Sequence, residues 1–158
     1  MTDTAYGILD FQAVVKHAYY GANCPESIYC EESGRQFPRW ETGAQGLISR
    51  YIEPICSDVG PRHLLVAHDM GIDYRKGIFP GYKGTPSKRS PVEKVQREKL
   101  MEWSKRFLTA LGATQIGVPG VEADDVIAWL CQGIVGSKSV HTVDADMLIS
   151  LEPRTSIF

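Results

Sequence analysis

Long apolar runs are missing from this chain of 158 residues. A membrane-spanning helix needs about 20 predominantly apolar residues, and the apolar runs here are only a few residues long, so we expect no membrane contact. The N-terminus, Met-Thr-Asp-Thr, also lacks the basic start and apolar stretch of a secretory signal peptide. We therefore expect a single cytoplasmic domain over residues 1–158.

Cysteine and histidine are sparse, at four residues each. No cysteine belongs to a Cys-x-x-Cys pair and no histidine lies at a zinc-ligand spacing from one, which argues against a zinc site. Reduced thiols are expected at Cys24, Cys30, Cys56 and Cys131. The histidines are interpreted as structural or incidental, although His68 adjoins a candidate acid; the other three are His17, His63 and His141.

Charge is distributed unevenly along the chain. Residues 75–106 hold ten Lys or Arg against three Glu, a local net charge of +7; the net charge of the whole chain is −2, which leaves −9 for the remainder. A basic run is often only a solvated helix face. Because the remainder of the chain is acidic, however, this basic segment also indicates a binding surface for a polyanion, since clustered positive charge attracts phosphates.

Short apolar strands alternate with longer helical patterns, which predicts an α/β fold with a largely parallel central sheet flanked by helices. The predicted strands are Tyr6–Leu9, His63–Ala67, Thr114–Val118, Lys138–Val143 and Ser156–Phe158. The predicted helices are Phe11–Tyr20, Ala44–Ser57, Ser90–Leu111 and Val121–Ile134. Residues 21–43 and 69–84 are rich in Gly, Pro and polar residues and are predicted to be loops.

Seven acidic side chains are predicted to meet at one edge of this sheet. In parallel sheets, ligands bind outside the carboxyl ends of the strands. Asp10, Asp69 and Asp144 lie within two residues of such an end, and a further group follows the third strand at a helix N-terminus. The complete set is Asp10, Asp69, Glu122, Asp124, Asp125, Asp144 and Asp146.

So many carboxylates need a counter-charge, since like charges at close range raise each other's pKa and oppose folding. Mg²⁺ and Mn²⁺ prefer oxygen ligands, and two ions about 4 Å apart are a common device for phosphodiester hydrolysis. Taken singly, each acid has a structural explanation. Asp124 and Asp125 are explained by the favourable interaction of acids with the dipole at a helix N-terminus, and Asp144-Ala-Asp146 by the frequent use of Asp in loops. Only the joint pattern predicts a metal site.

Three segments resemble the 5′-nuclease family, which includes bacteriophage 5′–3′ exonucleases, flap endonucleases and the nuclease domain of bacterial DNA polymerase I. They are Phe79-Pro-Gly-Tyr-Lys-Gly84, Val118-Pro-Gly-Val-Glu-Ala-Asp-Asp-Val126 and Val143-Asp-Ala-Asp-Met-Leu148. The resemblance runs from Ile8-Leu-Asp10 to the end of the chain. It implies a PIN-like core with a basic arch at about residues 80–106, and metal-dependent hydrolysis of DNA, or of RNA in RNA–DNA hybrids, near 5′ ends or flaps.

The resemblance also implies roles for individual residues. The seven acids match metal ligands of the family, direct or through water, with Asp125 matching an acid of the phage and bacterial branches. Asp10 and Asp144 are central to catalysis, and Lys83 matches a lysine over the scissile phosphate. Tyr82 would orient the terminal nucleotide. Backbone phosphates would be contacted by Lys83 and by Lys88, Arg89, Lys94 and Arg97.

Two departures from the family pattern matter. Pro86 stands where the phage and bacterial branches have an arginine three residues after the lysine. Family members also continue past the Asp-x-Asp with another strand and a helix–turn–helix-like part that binds duplex DNA and supplies further acids. We expect that part to be absent from residues 1–158, so that one of two Mg²⁺ or Mn²⁺ sites is incomplete in a truncated chain, or is completed by a second polypeptide.

Two alternatives stay open at this point. A PIN-like ribonuclease would use a similar acidic cluster, although the Tyr82-Lys83 phrase and the long basic segment argue against it. A catalytically inactive nucleic-acid-binding fragment would keep the basic segment and its salt-sensitive binding. The preferred interpretation is a replication nuclease acting on DNA 5′ ends, flaps or RNA primers in the cytoplasm of a bacterium or phage-infected host.

Overall fold

A computed structural model of the protein describes residues 5–22, 27–38, 40–83, 90–144, 146–147 and 154–158. In chain order the elements are β1 (Ala5–Asp10), α1 (Phe11–Gly21), β2 (Ser27–Cys30), β3 (Arg35–Pro38), a π-helical turn (Trp40–Ala44), α2 (Gln45–Val59), a 3-10 turn (Pro61–His63), β4 (Leu64–His68), α3 (Asp73–Ile78), α4 (Pro91–Leu111), β5 (Thr114–Gly117), α5 (Ala123–Gly133), β6 (Ser137–His141) and β7 (Thr155–Ile157).

Five strands form the central sheet in the order β5-β4-β1-β6-β7, and every neighbouring pair is parallel. The predicted α/β fold with a largely parallel sheet is therefore confirmed. All five predicted strands are present with their ends shifted by one or two residues. Because the strands are parallel, their carboxyl ends share one edge, which we call the carboxyl edge.

The two predicted loops contain regular structure that the sequence analysis missed. Residues 21–43 include the antiparallel hairpin of β2 and β3 and the π-helical turn, and residues 69–84 include α3. The hairpin strands have only four residues each, which is too short for a readable alternation of apolar side chains. Helix α3 has only six residues and contains Gly77, so its periodicity is too short to detect.

Helix α4 is bounded by the residues that the sequence indicates. The Ser90 hydroxyl accepts a hydrogen bond from the Glu93 N–H at 3.2 Å, Pro91 lies in the first turn, and Gly112 ends the helix with φ of 89°. Leu100, Ser104 and Leu108 are its buried residues, and the helix packs against α1 and α2. The basic segment is therefore anchored in the core through the C-terminal half of α4.

The sheet separates two apolar layers, because successive side chains of a strand point to opposite faces. Leu9 and Val66 face the layer formed with α1, α2 and α4. Ile8 and Val140 face the layer formed with α5. A β-carbon on Gly7 would lie 2.9 Å from the Ile55 Cγ2 atom, so a glycine in β1 is what lets α2 approach the sheet so closely.

None of the helices described is long and apolar enough to cross a membrane. Cys30, Cys56 and Cys131 form no disulfide within the described residues, whereas Cys24 lies outside them.

The Leu100→Ala substitution tests the anchoring of α4. The Leu100 side chain is 0% exposed, so its truncation should lower the free energy of unfolding by about 2–5 kcal/mol. Val92→Ala, on the same helix at 66% exposure, is the matched control and should change it by less than about 0.5 kcal/mol. Urea unfolding measures both variants, and equal small effects would mean that α4 does not pack as described.

Candidate active site

Asp10 lies at the point where β1 ends and α1 begins, and its carboxylate caps the helix. One oxygen accepts a hydrogen bond from the Ala13 N–H at 3.1 Å, and the other accepts one from the Thr142 hydroxyl at 3.0 Å. The residue is only 4% exposed. Burial is the main cause that raises its pKa, with smaller contributions from the charges of Asp144 and Asp69, against the lowering effect of both hydrogen bonds.

Thr142 connects Asp10 to the acids that follow β6. Its hydroxyl donates to Asp10 and accepts a hydrogen bond from the Asp144 N–H at 3.1 Å. The Asp144 carboxylate in turn accepts from the Asp146 N–H at 3.0 Å. Because β1 and β6 are neighbours in the sheet, this chain of hydrogen bonds fixes Asp144 close to Asp10 at the carboxyl edge.

Asp69 follows β4 and is exposed on the other side of Asp10. Its carboxylate accepts a hydrogen bond from the Gly71 N–H at 3.0 Å. His68, just before it, points away from the acids: the ring packs on Phe11 with centroids 4.4 Å apart, and Nε2 lies 2.8 Å from the Gln115 side-chain oxygen. Burial lowers the pKa of His68, which agrees with the structural role expected for it.

The third group of acids stands at the N-terminus of α5 and surrounds Arg75 of α3. Arg75 donates two hydrogen bonds to Asp125, each 3.0 Å long, and lies 2.9 Å from the Glu122 Oε2 atom without hydrogen-bond geometry. Asp124 is 3.7 Å away. These pairs, first of all the hydrogen bonds to Asp125, raise the pKa of the Arg75 guanidinium.

Loop geometry explains how Arg75 reaches these acids. The Met70 N–H donates to the Val121 carbonyl and the Gly120 N–H donates to the Met70 carbonyl, both at 3.0 Å, and Tyr74 donates to Gly120 at 3.0 Å. Gly120 has φ of 76°, and a β-carbon on it would lie 3.2 Å from the Asp73 side chain. Glycine is therefore required where the loop before α5 touches α3.

Tyr82 and Lys83 extend the same cluster. The Lys83 ammonium donates a 2.5 Å hydrogen bond to the buried Glu122 carboxylate, and this contact is the main cause that raises the pKa of Lys83. Arg75 donates to the Tyr82 hydroxyl at 2.6 Å. Lys83 has φ of 48°, a left-handed conformation that costs energy outside glycine and that recurs at functional sites.

The acids divide into two electrostatic groups. Arg75 and Lys83 offset the charges of Glu122, Asp124 and Asp125, whereas no ion pair among the described residues reaches Asp10, Asp69 or Asp144. Asp124 borders both groups: its pKa is raised, chiefly by burial and then by the charge of Asp10. The uncompensated charge therefore lies between α5 and the ends of β1 and β6.

These residues fit divalent cations by their chemistry. All the donors are carboxylate oxygens, which Mg²⁺ and Mn²⁺ prefer, and the pKa values of Asp10 and Asp124 are raised first by burial and then by neighbouring carboxylates. Within the described ranges, no three His, Cys, Asp or Glu side chains lie close enough together to form a ready-made metal cage. The side chains would have to close around an ion.

Most of the predicted site residues are found at the carboxyl edge, and their roles there stay predictions. The exposed Asp146 is the outermost acid, while Lys94 and the half-buried Arg97 lie on the first turns of α4. The Arg97 guanidinium stands 5.9 Å from the Tyr20 ring centroid of α1. Lys88, Arg89 and Pro86 lie outside the described residues.

Arg75, Thr142 and Gln12 complete the site and were not singled out from the sequence. Arg75 was counted only as part of the basic segment. Its acidic partners follow the loop between β5 and α5, and a loop has no periodic pattern that could indicate which residue pairs with them. A signal for Thr142 was available, since it directly precedes the Val143-Asp-Ala-Asp phrase at the end of a strand. Gln12, which hydrogen-bonds to the Asp69 backbone, has no sequence signal of its own.

A parallel α/β sheet with carboxylates at its carboxyl edge and a lysine facing them is the arrangement of a nuclease-type domain. A model of the "5′-3′ exonuclease, N-terminal resolvase-like domain" matches residues 6–158, so the chain belongs to this family and corresponds to its N-terminal part. The resemblance to 5′ nucleases found in the sequence is thereby confirmed.

Individual relatives are similar to this chain, the solved structures in their fold. A 5′-3′ exonuclease of Bacillus subtilis is 27% identical over 153 residues, which cover 95% of this chain and 49% of that protein. A zinc-bound bacteriophage T5 5′-exonuclease has a TM-score of 0.66 at 21% identity. A T5 flap endonuclease in a complex with DNA and metal ions has a TM-score of 0.71 at 17% identity. The alignment with each of the two T5 structures covers 98% of this chain and 54% of the T5 chain, so this chain spans about half the length of these relatives.

A double-mutant cycle tests the Arg75–Asp125 pair. Arg75→Met and Asp125→Asn should show a coupling of about 1–3 kcal/mol in the free energy of unfolding, because each substitution alone leaves its half-buried partner unpaired. Arg106→Met, at an exposed position of α4, is the matched control and should be nearly neutral. A coupling below about 0.5 kcal/mol by urea unfolding would contradict the pairing.

Asp10→Asn should stabilise the protein at about pH 7 in EDTA. The folded-state pKa of Asp10 is raised above 3.8, so the wild type loses stability as the pH rises from 3.8 through the folded-state value. Asparagine does not ionise, so the advantage of the variant should shrink as the pH falls to about 4. Urea unfolding across this range measures the effect, with the exposed Asp58→Asn as control; a pH-independent difference would refute the assignment.

Proposed function

We propose that the chain is the nuclease half of a divalent-metal-dependent 5′ nuclease that hydrolyses phosphodiester bonds near the 5′ ends or flaps of DNA. The observation that carries the proposal is the uncompensated carboxylate charge of Asp10 and Asp144 at the carboxyl edge, bordered by Asp124 and by Glu122, which accepts a hydrogen bond from the Lys83 ammonium. Clustered carboxylates that lack a paired cation favour the binding of metal ions, and the ammonium of a nearby lysine favours the binding of a phosphate.

The acids are proposed to hold Mg²⁺ or Mn²⁺. The proposed ligands are Asp10, Asp69, Glu122, Asp124, Asp144 and Asp146. The Asp125 carboxylate is less available to an ion because it accepts two hydrogen bonds from Arg75. A bound pair of ions supplies an activated water and stabilises the departing oxygen. Thr142 keeps Asp10 and Asp144 in register, and the burial of Asp10 and Glu122, at 4% and 3% exposure, excludes competing solvent.

Lys83 is proposed to neutralise charge that develops on the phosphoryl group, since a compact ammonium beside the acids can turn from Glu122 to the substrate. Tyr82 would stack on the terminal nucleotide. A cavity of about 580 Å³ opens beside Asp144 and is lined by Lys16, His17 and Tyr20 of α1. Its size and its basic and aromatic lining suit a nucleotide next to the acids.

The exposed Lys94 and the half-buried Arg97, on the first turns of α4, are proposed to contact backbone phosphates without reading sequence. The same role is proposed for Lys88 and Arg89. A structural relative is a complex with DNA and metal ions, which supports a nucleic-acid partner here. Cleavage of RNA primers and a cytoplasmic location in a bacterium or phage-infected host are further parts of the proposal.

Cleavage of a labelled 5′-flap in Mn²⁺ tests the proposal. Wild type should cut the flap, and Asp144→Asn and Lys83→Ala should each lower the rate by about 10²-fold or more, because each removes charge stabilisation of the transition state. Asp58→Asn is the matched carboxylate control; Asp58 is exposed in the last turn of α2 and should be replaceable without loss.

The outcomes separate the alternatives. Binding without cleavage would contradict an autonomous nuclease and favour a nucleic-acid-binding fragment. A preference for plain single-stranded RNA over structured 5′ ends would favour a PIN-like ribonuclease. Cleavage undiminished by Asp144→Asn would refute the site assignment.

A further inference from the structure

The β1·β4 ladder ends at Asp10 on β1 and two residues before Asp69 on the β4 side, and a side chain makes the next contact between the two segments. The last backbone pair is Asp10 with Ala67, because the chain turns into α1 after Asp10. Gln12, in the first turn of α1, then bonds to the main chain of Asp69 twice. Its Nε2 donates to the Asp69 carbonyl at 3.0 Å, and its Oε1 accepts from the Asp69 N–H at 3.0 Å.

These two bonds pair the Gln12 amide with both main-chain polar groups of one residue, as a hydrogen-bonded residue pair of an antiparallel ladder does. They tie the exposed loop after β4 to the helix that Asp10 caps. The Asp69 carboxylate is held separately, by the Gly71 N–H at 3.0 Å. The main chain of Asp69 is thus fixed relative to Asp10 through Gln12, while the second carboxylate oxygen of Asp69 has no hydrogen bond among the described residues.

We propose that Gln12 is a positioning residue that sets the distance between the Asp10 and Asp69 carboxylates for a shared divalent cation. This inference rests on the proposed function. Only an amide can do this work with one side chain, since it presents one donor and one acceptor side by side. A carboxylate would lose the donor, and an apolar side chain of the same length would lose both bonds.

Removing both bonds should weaken metal binding more than catalysis at saturating metal. In Gln12→Met the side-chain length is kept and both hydrogen bonds are lost. Its Mn²⁺ affinity, measured by titration calorimetry on the whole chain, should fall about tenfold, as is typical when a group that orients a metal ligand is lost. The metal-induced rise in melting temperature should shrink in parallel. Gln132→Met, at an exposed position of α5, is the matched control.

Four results are decisive. An unchanged Mn²⁺ affinity in Gln12→Met would overturn the inference. A lower melting temperature in EDTA with an unchanged metal-induced rise would also overturn it, because it would indicate a merely structural role for Gln12. Weaker Mn²⁺ binding, with a higher half-saturating Mn²⁺ concentration and a nearly unchanged rate at saturation, would support it. If wild type binds no Mn²⁺, the proposed function fails instead. Should Gln12→Met not fold, Gln12→Ala, which favours the helix, carries the same test.

Discussion

The repulsion between carboxylates at the carboxyl edge is the constraint that the rest of the site depends on. Arg75 relieves it on the α5 side, where its guanidinium contacts Glu122, Asp124 and Asp125. This guanidinium is held in place by backbone hydrogen bonds between the loops before α3 and α5. On the side of β1 and β6, the contacts of the acids within the described part of the chain come from neutral donors such as the Thr142 hydroxyl. The protein therefore folds with one compensated and one uncompensated half-site.

That asymmetry gives the two halves different tasks. The compensated half is rigid, because Asp125 is held by two hydrogen bonds and Glu122 is buried between Arg75 and Lys83. The uncompensated half carries the excess negative charge, and its buried acid Asp10, like Asp124 at the border between the halves, has a raised pKa. Lys83 belongs to the compensated half, where its ammonium donates a hydrogen bond to Glu122.

Recurring sequence patterns predicted the sheet, the helix ends and the acids, whereas single residues that contact distant parts of the chain were not predicted. The alternation of strands and helices predicted the parallel sheet, and the caps of α4 at Ser90 and Gly112 were legible because capping has a residue code. The acids were found since each follows an apolar strand or opens a helix. Arg75, Thr142 and Gln12 were not, because their partners lie 50, 132 and 57 residues away in the chain and only the folded sheet brings them together. The four-residue strands of the β2–β3 hairpin are too short to show an apolar period in the sequence.

The central claim is that the uncompensated half-site binds divalent cations, and anomalous diffraction from crystals grown with Mn²⁺ tests it most directly. The account predicts a Mn²⁺ peak within bonding distance of carboxylate oxygens from at least two of Asp10, Asp124 and Asp144, with Arg75 still paired to Asp125. Mn²⁺ bound elsewhere, or a carboxyl edge that stays free of metal at saturating Mn²⁺, would contradict it.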